Sequence, residues 1–366
     1  MRVDEFVFEL PPERIAQEPV EPRDSARLLV LRAGHEEVEH SHVCNLASHL
    51  PSESLLVFND TRVIPARLVG RKADTGGRVE IFLVRSMDVE VPVEVDGHTV
   101  HAEVWRAMGR ASKPLREGAE FDFNRVRARL MGRAKEDGLL EVALYSRDGE
   151  PLHEAIYAVG QIPLPPYIKR EATEDDAERY QTIFARAPGA IAAPTAGLHF
   201  TPRLLGQLAV TGCEVATITL HVGLGTFQPV TVSDLDEHPM HEEFFTISKH
   251  AAESIAAARK RGKPVVAIGT TTARALESAA DRDHIGYVIP QSAGTRLLIQ
   301  PPYHFNVVDL LLTNFHLPRS TLLALVSAFG EKDRVLRAYQ EAIAKQYRFY
   351  SYGDAMLIHP QQENTP

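Results

Sequence analysis

Cysteine is almost missing from this 366-residue chain: only Cys44 and Cys213 occur, far apart and outside any CxxC pair. That argues against a disulfide framework or a thiolate zinc site and fits a reducing cytoplasm. Long apolar runs are missing too. The densest, Leu322–Phe329, has the length of a core helix and stops well short of the roughly 20 residues a membrane span needs. Met1-Arg2-Val3-Asp4-Glu5-Phe6 carries acids and no apolar core, so no secretory signal is expected there. No Gly-Lys-Ser/Thr phosphate loop, no G-x-S-x-G elbow and no HExxH helix occurs, which removes the sequence grounds for a P-loop nucleotidase, an α/β-hydrolase or a zincin. Positive charge is also short overall: the net charge of −9 speaks against wholesale nucleic-acid binding.

Averages hide patches. Between Trp105 and Lys135 nine basic residues face three acids, a local charge of +6. Apolar residues make up 44% and charged ones 24%, an ordinary soluble composition, and the length suits about two domains. From Ala66 to Ser146 short strand-like segments follow one another with little helix: 67–71, 78–85, 100–108, 120–123, 125–132 and 139–145. This texture suggests a small antiparallel barrel or sandwich. Side chains alternate along a strand, so Arg125, Arg127 and Arg129 share one face and form an exterior ladder of cations suited to phosphates.

Around that segment the pattern changes to alternating strand and helix. Strands are expected at 26–31, 55–58, 214–220, 265–269 and 309–314, with a helix between the first two. Helices are expected at 174–185, capped by Thr173, at 275–280, at 321–329 behind Ser320, and at 334–347. The fold class read from this is α/β: a mostly parallel or mixed sheet flanked by helices, with an inserted small antiparallel β-barrel domain. The expected division is a split α/β catalytic domain, residues 1–66 and 156–366, around a barrel at 67–155.

Four of the strands run directly into polar loops: Asn59–Arg62, His221–Thr226, Gly269–Arg274 and Asn314–Arg319. In a parallel sheet such ends share one edge, where α/β folds bind ligands. A further Gly turn with a histidine, Pro194-Thr195-Ala196-Gly197-Leu198-His199, precedes the strand that delivers His221. Gly269-Thr270-Thr271-Thr272 before a helix offers free N–H groups to an anion or carboxylate. Gly223-Leu224-Gly225 is no dinucleotide fingerprint, because no helix opens after it. His199, His221, His238, His241 and His316 invite a metal reading, yet Pro239 splits the 238/241 pair and no helical frame presents it on one face. No metal site is assigned. The bland reading of each strand-end histidine is a hydrogen-bonded structural group, and of Asp60 and Thr61 a satisfied turn.

The motifs together resemble the S-adenosylmethionine:tRNA ribosyltransferase-isomerase family of queuosine biosynthesis. The resemblance rests on Glu21–Asp24 with Leu28–Val30, Val57–Arg67, Ile162–Ile168, Tyr180–Thr182, Ala193–Phe200, Leu220–Phe227, Gly269–Thr271, Leu312–Pro318 and Tyr352–Met356, in order along nearly the whole chain. Pro301-Pro302 stands where the family pattern has Pro-Gly, and the segments 88–102 and 281–295 fit poorly, so no site residue is taken from these three.

The resemblance implies transfer and isomerisation of the ribosyl group of S-adenosylmethionine onto 7-aminomethyl-7-deazaguanine at the tRNA wobble position, giving epoxyqueuosine with loss of adenine and methionine. S-adenosylmethionine is then a co-substrate, with no true cofactor, the tRNA anticodon arm is the partner, and a cytoplasmic monomer is the expectation. Acid/base work falls to His221 or His199, with Asp60 as carboxylate partner or rival base. Gly269–Thr272 with Arg274 would hold the methionine carboxylate. Arg62, Thr195, Gly197, Gly223, Gly225, Asn314 and His316 would complete the substrate contacts. Two rival classes stay open, a metal-dependent nucleotide hydrolase using the histidines and a non-catalytic RNA-binding module using only the basic barrel face.

Overall fold

Runs of Leu, Val and Phe without polar alternation become strands covered on both faces. Arg27–Leu31 (β1) is almost wholly buried, and Leu55–Asn59 (β3) entirely so. Between them lie an exposed edge strand, Glu39–His42 (β2), and 3-10 turns over Val43–Ser48 where an α-helix is expected. There the Ser48 hydroxyl donates to the Asn45 carbonyl at 2.8 Å, a local bond that competes with regular helix. After Asp60 the expected loop is a short strand, Thr61–Val63 (β4). The computed structural model describes residues 1–95, 97–136, 138–223 and 230–360.

These residues divide into two compact units. One comprises residues 63–164 and 171–178. Its six strands are Arg67–Lys72 (β5), Arg78–Val95 (β6), His98–Ala111 (β7), Glu120–Phe123 (β8), Val126–Arg133 (β9) and Leu140–Ser146 (β10). They pair antiparallel in the order β10-β7-β6-β5-β8-β9, and β9 pairs back to β10, so the ladder returns to its first strand. β6 and β7 extend beyond the expected segments as one long hairpin. Val126, Ala128 and Leu130 are buried while Arg127 and Arg129 face outward, the period-two pattern. Gly70 lies so close to β8 that a Cβ would collide with the Asp122 carbonyl oxygen. A helix the sequence reading does not contain, Leu152–Val159 (α1), buries Leu152, Ala155 and Ile156.

The helix expected over 174–185 is one turn, Asp176–Arg179 (α2). Asp176 does accept from the Thr173 N–H at 2.8 Å, as a capping pattern requires. Tyr180 is fully buried, however, its ring edge-on to Tyr352 at 5.8 Å, and this tertiary anchor draws the chain out of the helix.

The other unit holds residues 1–62, 165–170 and 179–366. It continues with Ala187–Ala190 (β11), Pro202–Val210 (α3), Glu214–Leu220 (β12), Glu243–Ile247 (β13), Lys249–Lys260 (α4), Val265–Ile268 (β14) and Thr270–Ser278 (α5). Gln291–Thr295 (β15), Leu310–Asn314 (β16), Thr321–Gly330 (α6), Lys332–Ala344 (α7) and Ala355–Ile358 (β17) complete it. Nine strands form one mixed sheet, β15-β13-β12-β3-β14-β16-β17-β1-β2. β12, β3, β14 and β16 are parallel neighbours, whereas β13 and β17 run antiparallel to β12 and β16. Leu55 and Val57 pack into the core that includes Ile255, Leu276, Val326 and Tyr339 of α4 to α7. Leu56 and Phe58 pack into the opposite core with Leu204 and Leu208 of α3. Helices therefore cover both faces, and a one-residue slip of β3 would exchange its two faces. Among the described residues no helix is long and apolar enough to cross a membrane.

Candidate functional site: one edge of the mixed sheet

Because β12, β3, β14 and β16 are parallel and adjacent, their C-terminal ends deliver His221, Asp60, Gly269 and Phe315 to one edge. The antiparallel strands bring their starts there too: Ala355 sits opposite Asn314, and Glu243 begins β13 beside the end of β12. Asn59 ties the edge together. Its Oδ1 accepts from the N–H groups of Thr61 (3.1 Å) and Leu220 (3.0 Å), and its Nδ2 donates to the Leu220 carbonyl (2.8 Å).

At one end of the edge, His221 Nδ1 lies 2.9 Å from Thr61 Oγ1. The same hydroxyl is 3.4 Å from the Ala187 carbonyl. If it donates there, His221 Nδ1 carries the proton and Nε2 is a base; if it donates to Nδ1, Nε2 carries the proton and is an acid. Each orientation of this one hydroxyl thus matches one of the two tautomers. Gly189 leaves room for the ring, since a Cβ there would fall 2.9 Å from His221 Cε1. Burial lowers the His221 pKa from 6.5, and the Asp60 carboxylate pulls it partly back. Asp60 is buried and engaged on both oxygens, accepting from Arg186 Nη2 at 2.8 Å and Thr219 Oγ1 at 2.7 Å.

A cleft lies along the same edge, lined by Tyr167, Thr195, Ala196, Val222, Gly269, Thr270, Thr271, Asn314, His316, Tyr350 and Ser351. It contains about 660 Å³ of empty space, part of it open to solvent. α5 begins at Thr270, ahead of the expected start, because Gly269 at φ +97° turns the chain off β14 directly into the helix. Its first N–H groups therefore have no intrahelical acceptor and border the cleft. The lining also includes two aromatic rings, Tyr167 and Tyr350, with centroids 4.7 Å apart. The Tyr167 hydroxyl is 2.6 Å from Ser351 Oγ, and burial raises its pKa to about 12.

A family model described as queuosine biosynthesis protein matches residues 3–358. The chain belongs to the queuosine biosynthesis protein family. It is 55% identical to the S-adenosylmethionine:tRNA ribosyltransferase-isomerase of Sorangium cellulosum, over 98% of each chain. It is 51% identical to that of Anaeromyxobacter sp. strain K, over 98% of this chain and 99% of the relative. The crystal structure of S-adenosylmethionine tRNA ribosyltransferase from Thermotoga maritima matches with a TM-score of 0.53 and 35% identity, covering 97% of this chain and 99% of that one.

In this member of the queuosine biosynthesis family, Thr195, Thr270, Thr271, Asn314 and His316 line one cleft, whereas His221, Thr61 and Asp60 form a second cluster along the edge. His199 is buried and does not line that cleft; its Nε2 is 3.2 Å from Asn314 Nδ2. His316 Nε2 is 2.8 Å from Thr313 Oγ1, and burial pushes its pKa down to about 3. Thr272 is inward, its hydroxyl donating to the Ile268 carbonyl. Gly197 is a close-packing position, where a Cβ would fall 2.9 Å from Thr182 Cγ2. Arg62 is exposed, and Gly225 lies outside the described residues.

The expected carboxylate clamp by Arg274 meets a different geometry. Arg274 is buried in an adjoining pocket with His238 and His241 and is ion-paired with Glu243. Burial lowers its pKa to about 10. Glu243 also accepts from the Gly223 N–H at 3.1 Å, so the charge is already matched inside the fold. The arginine ladder is partly matched as well: Arg125 pairs with Glu150, and Arg127 with Asp122 at 3.2 Å.

Arg186, Tyr167, Tyr350 and Ser351 carry no assignment in the sequence reading. The first is joined to Asp60 across 126 positions, and the others have no polar strand end to mark them. Among the described residues no group of three or more His, Cys, Asp or Glu side chains comes together that could hold a metal ion.

Proposed function

We propose that the chain is an S-adenosylmethionine:tRNA ribosyltransferase-isomerase. It would move the ribosyl group of S-adenosylmethionine onto the aminomethyl group of 7-aminomethyl-7-deazaguanine at the tRNA wobble position and release adenine and methionine. The observation that carries the reading is the end-to-end likeness to relatives bearing that name. The sheet-edge cleft supports it by offering what such a substrate needs: aromatic rings, hydroxyls and free helix N–H groups in one place. S-adenosylmethionine is then a co-substrate and no cofactor is required.

The positive sulfonium acidifies the neighbouring C5′ protons, so a positioned neutral base can open the sequence. His221 is the base in this reading, with Thr61 setting its tautomer and Asp60 holding the surrounding edge. The ylide expels adenine, which takes up a proton as its bond to C1′ breaks; the tRNA amine attacks C1′ and gives up a proton, and ring closure with cleavage of the C5′–S bond releases methionine and gives the epoxycyclopentane. Thr270, Thr271 and the start of α5 would hold the methionine carboxylate. Tyr167 and Tyr350, packed against each other, would offer the adenine an aromatic surface on one side. His199, with its ring nitrogens already committed, is a positioning group in this reading. Arg274 with Glu243 braces the Gly223 turn.

The six-strand sheet, whose ladder returns on itself, is read as a small β-barrel at 67–155 inserted into an α/β domain of residues 1–66 and 156–366. Arg125, Arg127 and Arg129 on its exterior, and the exposed Arg62, would meet RNA phosphates. A cytoplasmic monomer is the simplest working form. The reading is tested with S-adenosylmethionine labelled separately in ribose and in methyl. Ribose label should pass to precursor-bearing tRNA while methyl label stays in methionine; methyl label in the tRNA would reject it.

A further inference from the structure

Asn314 ends β16 at the cleft, only 2% exposed, and just half of its amide is used. Nδ2 donates to the Tyr350 carbonyl at 3.1 Å and to His199 Nε2 at 3.2 Å. The carbonyl decides the orientation of the amide: an amide oxygen facing it would oppose two acceptors, so the nitrogen must lie there. His199 therefore accepts at Nε2 and carries its proton on Nδ1, in keeping with its hydrogen bond to the Arg23 backbone. Burial, the largest influence, lowers its pKa to about 4 and keeps this neutral form at physiological pH.

Tyr350 takes φ +71°, a conformation uncommon for a bulky residue, and its carbonyl also accepts from the Gly353 N–H at 2.9 Å. The amide is thus held from two sides. What remains is Asn314 Oδ1, a buried acceptor with no hydrogen-bond partner among the described residues, in a residue that lines the cleft. Leaving such an acceptor unmet is unfavourable, and a ligand N–H placed against it removes the penalty.

We infer that Asn314 is a specificity residue: its Oδ1 accepts an N–H from the bound sulfonium nucleoside, and His199 and Tyr350 position it. The inference rests on the cleft being the S-adenosylmethionine site. That molecule offers two N–H groups of suitable chemistry, the exocyclic amine of adenine and the α-ammonium of its methionine portion. The neutral, fixed acceptor suits either one.

Equilibrium dialysis of the full chain decides between them, using S-adenosylmethionine, its analogue with purine in place of adenine, and its analogue with hydrogen in place of the α-amine. One analogue should bind the wild-type protein about tenfold or more weakly than S-adenosylmethionine. In Asn314→Ala that preference should collapse toward unity. His199→Phe should lower the same ratio, which general structural damage would not do because it weakens both ligands together. Wild-type protein that binds both analogues as tightly as S-adenosylmethionine overturns the inference without any variant. So does an unchanged ratio in a folded Asn314→Ala protein. The underlying reading fails separately: Thr195→Trp, which fills the cleft, would then leave S-adenosylmethionine binding intact.

Discussion

Replacing His221 by Gln tests the proposed base while keeping a polar side chain of similar reach. A positioned general base contributes about 10²–10⁴ in rate, so adenine release in single turnover should fall by roughly that factor. Thr61→Val removes only the tautomer-setting hydroxyl 2.9 Å from His221 Nδ1. One neutral hydrogen bond is worth about 0.5–1.5 kcal/mol, so the expected loss is about two- to thirteen-fold. The pH dependence carries the sign. His221 has a pKa lowered from 6.5 by burial, so its basic form predominates at neutral pH, and the rate should rise through the lowered value and then level off. Asp60 raises that pKa, so Asp60→Asn should move the ascending limb to lower pH. Adenine is quantified by chromatography between about pH 5 and 8, the range in which imidazole titrates. Near-normal turnover by a folded His221→Gln protein, or a limb that moves upward in Asp60→Asn, would refute the reasoning.

The remaining expectations concern stability and RNA. Glu243→Gln leaves the buried Arg274 guanidinium without its carboxylate and should cost about 3–5 kcal/mol in urea unfolding. The double variant Glu243→Leu/Arg274→Met should recover most of it; a single variant of near-wild-type stability contradicts the pairing argument. Burial lowers the pKa of His199 to about 4 and of His316 to about 3, whereas in the unfolded chain both protonate near 6.5. Their contribution is complete above 6.5 and is lost as pH falls toward the folded values, by up to about 1.4 kcal/mol per pH unit for each histidine. Urea midpoints should therefore drop from pH 7 to pH 5, and flat midpoints would count against the buried neutral imidazoles. On the basic face, Arg129→Glu should weaken tRNA binding more than Arg125→Glu or Arg127→Glu, because those two cations already face Glu150 and Asp122. The slope of log K against log salt should fall by about 0.7–0.9 for each phosphate no longer neutralised, and unchanged affinity would place the RNA surface elsewhere.

The strand ends were legible because β3, β14 and β16 open as continuous apolar runs that stop abruptly at Asn59, Gly269 and Thr313. Their parallel adjacency is a tertiary fact that only pairing supplies. The edge strand β15 and its neighbour β13 are short, and no hydrophobic period in the sequence sets them apart from loop. Asp60 and Arg186 are 126 positions apart, and Asn314 and His199 115, so these partnerships leave no local trace. α2 shows the opposite failure: a correct capping signal was overridden by the buried ring of Tyr180. Tyr350 could not be found from residue type, since its role comes from a positive φ that bulky side chains rarely adopt.

The central claim is that this sheet edge takes S-adenosylmethionine apart at its ribose when tRNA supplies the amine. Adenine released per tRNA modified measures that directly. With tRNA carrying 7-aminomethyl-7-deazaguanine, adenine and modified tRNA should form one for one, and tRNA with guanine at the same position should give neither. Adenine formed without tRNA modification, or modified tRNA without adenine, would contradict the account.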